Sequence, residues 1–194
     1  MKVLISGGCK NGKSYFAQTL ARLAQTLARQ LRPDNGSPNG GVLYYLATMI
    51  PADDEDMRRI ERHRREREGW GFETIEISRN ILAATSNCQW NGTFLLDSVT
   101  ALLANEMFEK DGSFLPNAAL KVAGDLMVLA ERAGHIVFVA DDISSDACFY
   151  DAVTEEYRKG LAFIGRKLAG VCDFVLEVSA GNIITHRSNG TLPC

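Results

Sequence analysis

The sequence predicts an α/β protein of three layers, in which helices cover both faces of a mostly parallel sheet with an antiparallel hairpin at its C-terminal edge. Short apolar runs typical of buried strands alternate with helical periodicity along all 194 residues. A glycine-rich turn joins the first apolar run to the first helix. No internal linker is long enough to separate two domains, so residues 1–194 are expected to form one domain.

The elements follow from local residue patterns. Strands are predicted at residues 3–5, 42–48, 73–77, 93–97, 135–142, 174–180 and 183–186, and helices at residues 15–32, 53–67, 99–108, 117–132 and 153–169. Apolar residues recur at helical spacing through the first helix, and the second helix opens with acids and closes with arginines, as the helix dipole favours. Residues 33–41 are rich in glycine, proline and asparagine and predict a loop, and Gly181-Asn182 predicts a hairpin turn.

Composition narrows the class of protein. A net charge of −3 gives no reason to expect nucleic acid or an anionic membrane as a partner. Five widely spaced cysteines without a Cys-x-x-Cys pair disfavour a disulfide framework and a cysteine zinc site. The first residues do not fit a signal peptide, and no apolar run approaches the roughly 20 residues that span a bilayer. The expected location is therefore the cytoplasm.

Residues 7–14 match the pattern G-x-x-x-x-G-K-S of a phosphate-binding loop, between a predicted strand and a predicted helix. Backbone N–H groups of the loop would face the phosphates, Lys13 would bind the β- and γ-phosphates, and the Ser14 hydroxyl would bind Mg²⁺. The predicted nucleotide-binding residues of the loop are Gly7, Gly8, Cys9, Lys10, Asn11, Gly12, Lys13 and Ser14. The alternative is a glycine-rich turn with an exposed lysine.

A magnesium site next to such a loop requires an acid at the end of a neighbouring core strand. Asp97 follows one predicted core strand, and Asp141 and Asp142 end another. Asp97 is the favoured magnesium ligand. Since Asp97 precedes Ser98 and a predicted helix, a helix cap is the competing interpretation.

The charged helix at residues 53–67 carries a candidate nucleophile. Met57, Ile60 and His63 share one face of this helix, which has too few apolar residues for an ordinary core helix. We expect it to lie near the carboxyl ends of the strands, where ligands bind. The arginines around His63 favour a neutral, nucleophilic imidazole and would attract a phosphate. A solvated helix whose histidine has no function is the alternative.

Further short motifs follow the phosphate loop in a fixed order. They are Ala47-Thr48, the acids at 53–56, Arg59-Ile60-Glu61-Arg62-His63-Arg64, Trp70, Glu76, Leu95-Leu96-Asp97, Thr100 and Asn105. With this order and spacing, most of residues 1–108 resemble the bifunctional adenosylcobinamide kinase/adenosylcobinamide-phosphate guanylyltransferase family of cobalamin biosynthesis.

The resemblance implies a RecA-like P-loop NTPase fold and two reactions on a corrinoid substrate. The first transfers phosphate from ATP or GTP to the aminopropanol hydroxyl of adenosylcobinamide. The second transfers GMP from GTP to that phosphate through a guanylyl-histidine at His63, giving adenosyl-GDP-cobinamide. Glu76 and Asp97 would be further nucleotide-binding residues. Family members can form trimers, so a homo-oligomer is expected.

The C-terminal half departs from the family pattern. The family usually has Asn-Glu-Val-Gly after the later strand and a Gly-Ile-Val-Pro stretch beyond it. This chain has Asp141-Asp142-Ile143-Ser144-Ser145 there, so Asp142 takes the place of the glutamate and the glycine and proline are absent. Two other functions therefore remain open: a diverged kinase for another small alcohol, and a nucleotide-dependent regulatory ATPase or GTPase.

Overall fold

The computed structural model describes residues 1–31, 41–109, 111–143 and 148–192. The strands are β1 (Lys2–Gly7), β2 (Leu43–Ala47), β3 (Phe72–Glu76), β4 (Thr93–Asp97), β5 (His135–Val139), β6 (Phe174–Ser179) and β7 (Asn182–Ser188). The helices are α1 (Lys13–Leu31), α2 (Asp54–Arg67), α3 (Ile81–Ala84), α4 (Val99–Met107), α5 (Ala118–Arg132) and α6 (Ala152–Val171). Within the described part of the chain, no helix is long and apolar enough to cross a membrane.

The seven strands form one sheet in the order β3-β2-β4-β5-β1-β6-β7. Every neighbouring pair is parallel except β6 and β7, which form the C-terminal antiparallel hairpin. Ala47, Asp97, Val139 and Ile5 lie in one register row across β2, β4, β5 and β1. Since parallel strands end at the same edge of a sheet, this row places the segments after these four strands side by side.

Helices pack on both faces of the sheet and give it three layers. Alternate strand residues point to opposite faces. On one face, Ala17 and Leu20 of α1 pack against Val3 and Ile5 of β1. The opposite face is covered by α3, α4, α5 and α6, whose buried residues pack against side chains such as Phe138. Burial on both faces explains why the inner strands are continuous apolar runs rather than alternating ones.

The predicted fold class is confirmed, with corrections at element ends. The strand predicted at 135–142 ends at Val139, although the Ala140 and Asp142 N–H groups still donate to the Ile5 and Gly7 carbonyls of β1. The hairpin turns at Ala180 and Gly181, one residue earlier than predicted, and both have positive φ, as a type I′ hairpin turn requires. The one-turn helix α3 was not predicted. Most of the loop predicted at 33–41 lies outside the described residues.

Candidate active site

The loop at residues 7–14 joins β1 to α1, and α1 begins at Lys13. Gly7 and Gly12 have φ of 146° and 90°, conformations that side chains with a Cβ rarely adopt. Asn11 connects the loop to β6, because its amide nitrogen donates to the Val178 carbonyl and its oxygen accepts from the backbone N–H of Lys13. The sequence therefore forms a loop whose backbone is held from within and from the neighbouring strand.

The Lys13 side chain is buried and folded back over its own loop. Its ammonium donates to the Gly8 carbonyl at 2.8 Å and lies 2.5 Å from Asp141 Oδ1. Asp141 follows β5, the strand between β1 and β4. This ion pair was not predicted from the sequence, which offered Asp141 only as an alternative to Asp97 for the magnesium-side acid at a strand end.

Asp97 ends β4 and takes a hydrogen bond from a buried tyrosine. The Tyr45 hydroxyl donates to Asp97 Oδ2 at 2.9 Å. Burial, followed by the nearby Asp97 charge, raises the pKa of Tyr45 well above its ordinary value, so the phenol stays a donor. The cap of α4 is Ser98, whose hydroxyl accepts from the Ala101 N–H. The carboxylate of Asp97 is therefore directed towards Tyr45 rather than towards the helix.

Thr48, Ser98 and Asn105 join the segment after β2 to the segment after β4. The Thr48 hydroxyl donates to the Ser98 carbonyl at 2.8 Å and accepts from the Ser98 N–H at 2.7 Å. The Asn105 amide donates to the Thr48 carbonyl at 2.7 Å, and the Thr100 hydroxyl accepts from the Asp141 N–H at 2.7 Å. These hydrogen bonds fix the backbone segments that follow β2, β4 and β5 relative to one another at the carboxyl edge of the sheet.

Helix α2 carries His63 and is held at both of its ends. Asp53 caps the N-terminus by accepting from the Asp56 N–H. At the other end Arg67 is buried, with its guanidinium 3.6 Å from the centre of the Tyr45 ring. This cation–π contact connects the last turn of α2 to the tyrosine that binds Asp97.

His63 lies on the face of α2 that is turned towards the sheet, and its side chain is 20% exposed. Its Nδ1 is 2.9 Å from Glu66 Oε2. Arg64 pairs with Glu76, which ends β3. Just beyond α2, the Trp70 ring packs edge-on against Tyr15 of the phosphate-loop helix, with centroids 5.8 Å apart.

A cavity of about 560 Å³ opens between α2 and the carboxyl edge of the sheet. It brings together five of the candidate residues: Ser14, His63, Glu76, Asp97 and Asp141. Arginines from α2 and Tyr157 of α6 also line it. Residues 7–13 do not line the cavity. Lys13 is connected to it by its ion pair with Asp141, which is a lining residue.

Sequence reasoning missed Tyr45 and Arg67. Tyr45 lies in an apolar run and was assigned to the core. A buried tyrosine hydroxyl usually needs a hydrogen-bond partner, and this requirement could have indicated a polar neighbour. Arg67 was counted with the arginines around His63 that would attract a phosphate. Its burial depends on the position of β2 under the helix end, which local sequence does not contain.

A phosphate loop between β1 and α1, with a strand-end acid two strands away at the same sheet edge, defines a P-loop NTPase fold of the RecA-like class. The family model for cobinamide kinase / cobinamide phosphate guanyltransferase, CobU, matches residues 3–185, and the chain belongs to this family. It is therefore an enzyme of cobalamin biosynthesis that combines a kinase with a guanylyltransferase.

Two curated relatives match almost the whole chain. The bifunctional adenosylcobalamin biosynthesis protein CobP of Pseudomonas aeruginosa is 28% identical over 183 residues, which cover 93% of this chain and 94% of that protein. The corresponding CobU protein of Salmonella typhimurium is 24% identical over 192 residues, which cover 93% and 97%.

Solved structures resemble the chain in fold only. The flagellar accessory protein FlaH of Methanocaldococcus jannaschii is 14% identical, with a TM-score of 0.45 over 97% of this chain and 78% of that one. A KaiC-like protein of Pyrococcus horikoshii is also 14% identical, with a TM-score of 0.45 over 100% and 82%.

Proposed function

We propose that the enzyme phosphorylates the aminopropanol hydroxyl of adenosylcobinamide with ATP or GTP. It then transfers GMP from GTP to the new phosphate through a guanylyl-His63 intermediate, giving adenosyl-GDP-cobinamide. One observation carries this proposal: His63 lines the same cavity as Ser14 of the phosphate loop and Asp97 of β4. Both reactions therefore take place at one nucleotide site.

In the kinase step the loop residues 7–14 bind the triphosphate through backbone N–H groups and the N-terminus of α1. Lys13 exchanges its contacts with Gly8 and Asp141 for the β- and γ-phosphates. The buried position of the lysine supports this role, because a charge shielded from water acts more strongly on a bound phosphate. The Tyr45 hydroxyl keeps the Asp97 carboxylate turned towards the cavity.

Ser14 and Asp97 fit the site of a magnesium ion. They place a hydroxyl and a carboxylate in one cavity, and oxygen ligands are those that Mg²⁺ prefers. Among the described residues there is no group of three or more His, Cys, Asp or Glu side chains that could hold a metal, so phosphates and water would supply the other ligands. Bound there, Mg²⁺ would neutralise negative charge on the transferred phosphate.

In the guanylyl step His63 is the nucleophile. Glu66 at 2.9 Å from Nδ1 holds the proton on that nitrogen, so Nε2 attacks the α-phosphorus of GTP and pyrophosphate leaves. The Glu66 carboxylate also stabilises the cationic ring that forms during attack. An oxygen of the cobinamide phosphate then attacks the same phosphorus and displaces His63. Arg59 and Arg64 line the cavity beside the histidine and supply positive charge for these phosphates.

The remaining properties are proposals of the same kind. We expect one domain over residues 1–194, a cytoplasmic location and a corrinoid substrate. We expect no nucleic acid or membrane partner, because the net charge of −3 gives no attraction to polyanions. Glu76 takes part in nucleotide binding through its position in the cavity beside Arg64. A homo-oligomer, a trimer by family resemblance, is checked by sedimentation equilibrium.

The experiment that tests the function compares His63→Ala with His186→Ala. His186 is a matched control because it also pairs with a glutamate, with Nε2 2.8 Å from Glu177, and it is not part of the cavity lining. His63→Ala should lose GMP transfer to adenosylcobinamide phosphate and retain phosphorylation of adenosylcobinamide. His186→Ala should retain both activities. Retained transfer in His63→Ala would refute the covalent role.

A diverged kinase is the second candidate, because the departure from the family pattern begins at Asp141, the residue that contacts Lys13. Adenosylcobinamide is then compared with other small alcohols as acceptor. Phosphorylation of another alcohol in preference to adenosylcobinamide would favour this candidate.

A further inference from the structure

Exposed apolar side chains border the cavity on the side of β2. Met49, Ile50 and Pro51 come from the segment between β2 and α2, and Met57 comes from α2; all four line the cavity and are here called the apolar lip. Ile50 is 51% exposed and Met57 is 54% exposed. Exposed apolar residues in such a run are unfavourable in water, and beside a cavity they indicate a surface that a ligand covers.

The backbone of the apolar lip is anchored at both ends. Before it, the Thr48 hydroxyl exchanges two hydrogen bonds with the backbone of Ser98. After it, the Ala52 N–H donates to Asp56 Oδ2 at 3.1 Å, and Pro51 has a φ fixed by its ring. The lip therefore has a set position without a ligand, and it loses little conformational freedom when a ligand covers it.

The lip lies towards the γ-phosphate end of a nucleotide bound at the phosphate loop. In P-loop enzymes Mg²⁺ bridges the β- and γ-phosphates, and Ser14 and Asp97 are its proposed ligands here. Strand β2 is next to β4 on the side away from β1, three strand spacings along the sheet. At roughly 4.8 Å per spacing, the end of β2 is about 14 Å from the start of the phosphate loop. A group on the lip thus lies beyond Asp97, where the acceptor hydroxyl approaches.

The size of the cavity separates the acceptor into two parts. Its volume of about 560 Å³ is within the range of about 300–1,000 Å³ that holds one drug-sized ligand, and a nucleoside triphosphate is a ligand of that size. A corrinoid is larger, with broad and mostly apolar ring faces and a flexible aminopropanol arm. Only the arm can enter beside the nucleotide, so the ring remains at the opening of the cavity.

We propose that the apolar lip holds the corrin ring of the acceptor, and that Ile50 and Met57 determine the preference for a corrinoid over a small alcohol. The charged interior binds phosphates, while the lip binds an apolar ring face and keeps water from the open side of the cavity. The lip serves both reactions, because adenosylcobinamide and its phosphate carry the same ring. This inference rests on the proposed function and names the surface that recognises its substrate.

The test compares two lip variants with two matched controls. Met57→Gln keeps the length and helix propensity of the side chain, and Ile50→Thr keeps its β-branch. Leu120→Gln on α5 and Ile183→Thr on β7 are the controls, since these residues are 61% and 46% exposed and lie outside the cavity lining. Each lip variant should raise the KM and the calorimetric Kd for adenosylcobinamide about 3- to 10-fold, as expected for the exposed half of an apolar side chain. Its kcat should stay within about threefold of the parent.

Further readouts separate a ring contact from a structural role. The KM for adenosylcobinamide phosphate in GMP transfer should rise by a similar factor in the lip variants. The heat capacity change of corrinoid binding should become less negative, because less apolar surface is buried. The Kd for GTP and the labelling of His63 by GTP need no corrinoid, so both should equal those of the parent. The two controls should keep all of these values.

Several results would overturn the proposal. They are an unchanged KM for adenosylcobinamide in both lip variants, an equal rise in the controls, and a matching loss of GTP affinity, which would place the nucleobase on the lip. A change in subunit association, measured by sedimentation equilibrium, would instead assign the lip to a second copy of the chain. A parent enzyme that binds GTP but neither binds nor phosphorylates adenosylcobinamide would refute the proposed function itself.

Discussion

Tyr45→Phe removes one hydroxyl from the floor of the cavity and retains the ring. The substitution deletes the hydrogen bond to Asp97 Oδ2 at 2.9 Å and keeps the face on which the Arg67 guanidinium stacks at 3.6 Å. Any change in activity then reports on the orientation of Asp97 rather than on the loss of α2 contacts. We expect a higher half-saturating Mg²⁺ concentration, because the Asp97 carboxylate loses the hydrogen-bond donor that holds it in the cavity.

The size of the effect follows from the type of hydrogen bond. A hydrogen bond to a charged group contributes about 1.5–3 kcal/mol to stability. Asp97 is only partly buried, so water can replace part of the bond and the lower end applies. Only the part of this free energy that differs between the metal-bound and metal-free states changes Mg²⁺ affinity. Since 1.4 kcal/mol corresponds to a factor of ten in an equilibrium constant, the half-saturating Mg²⁺ concentration should rise by up to about tenfold. The melting temperature should fall by about 3–6 °C for a chain of this length.

Tyr44→Phe is the matched control. Tyr44 and Tyr45 are neighbours in β2 and each is 4% exposed, but their side chains point to opposite faces of the sheet. The Tyr44 hydroxyl accepts from the Gln89 N–H at 3.0 Å and takes no part in the cavity. This variant should lose about 0.5–1.5 kcal/mol of stability with unchanged Mg²⁺ dependence.

The assay is the rate of adenosylcobinamide phosphorylation against Mg²⁺ at saturating nucleotide, with thermal unfolding of the same preparations. Equal Mg²⁺ midpoints for the parent and Tyr45→Phe would show that Tyr45 does not position a metal ligand. Equal shifts in Tyr44→Phe and Tyr45→Phe would attribute the effect to general destabilisation.

Two further predictions concern the charged groups of the site. Lys13→Ala should abolish triphosphate binding, measured by calorimetry, and leave the circular dichroism spectrum intact; unchanged affinity would contradict the phosphate-loop assignment. Glu66→Gln should slow GMP transfer about 10- to 100-fold and spare the kinase step, because an amide does not stabilise the cationic ring of His63 as a carboxylate does. An equal loss in both reactions would show that Glu66 acts through the fold.

Local sequence patterns were sufficient to predict the three layers of the fold and the order of its main helices and strands along the chain. The inner strands are continuous apolar runs because both sheet faces are covered, and the phosphate loop was recognised from its position between such a run and a helix. Element ends were less accurate. The run at 135–142 continues in apolar and acidic residues past Val139, and its backbone still bonds to β1, so the pattern alone did not locate the end of the strand.

The site depended on long-range geometry that sequence patterns do not contain. The pattern of α2 showed that His63 shares a face with Met57 and Ile60, but not that this face and Ser14 line one cavity. Local sequence likewise could not pair Lys13 with Asp141, because these residues are 128 positions apart and meet only through the parallel pairing of β1 with β5.

The most direct test of the central claim is covalent labelling of the enzyme. Purified protein is mixed with Mg²⁺ and GTP labelled at the α-phosphate, denatured, and examined for retained label. The account predicts acid-labile, alkali-stable label on the peptide that contains His63, absent from His63→Ala and present in His186→Ala. No label on protein that binds GTP, or undiminished label in His63→Ala, would contradict it.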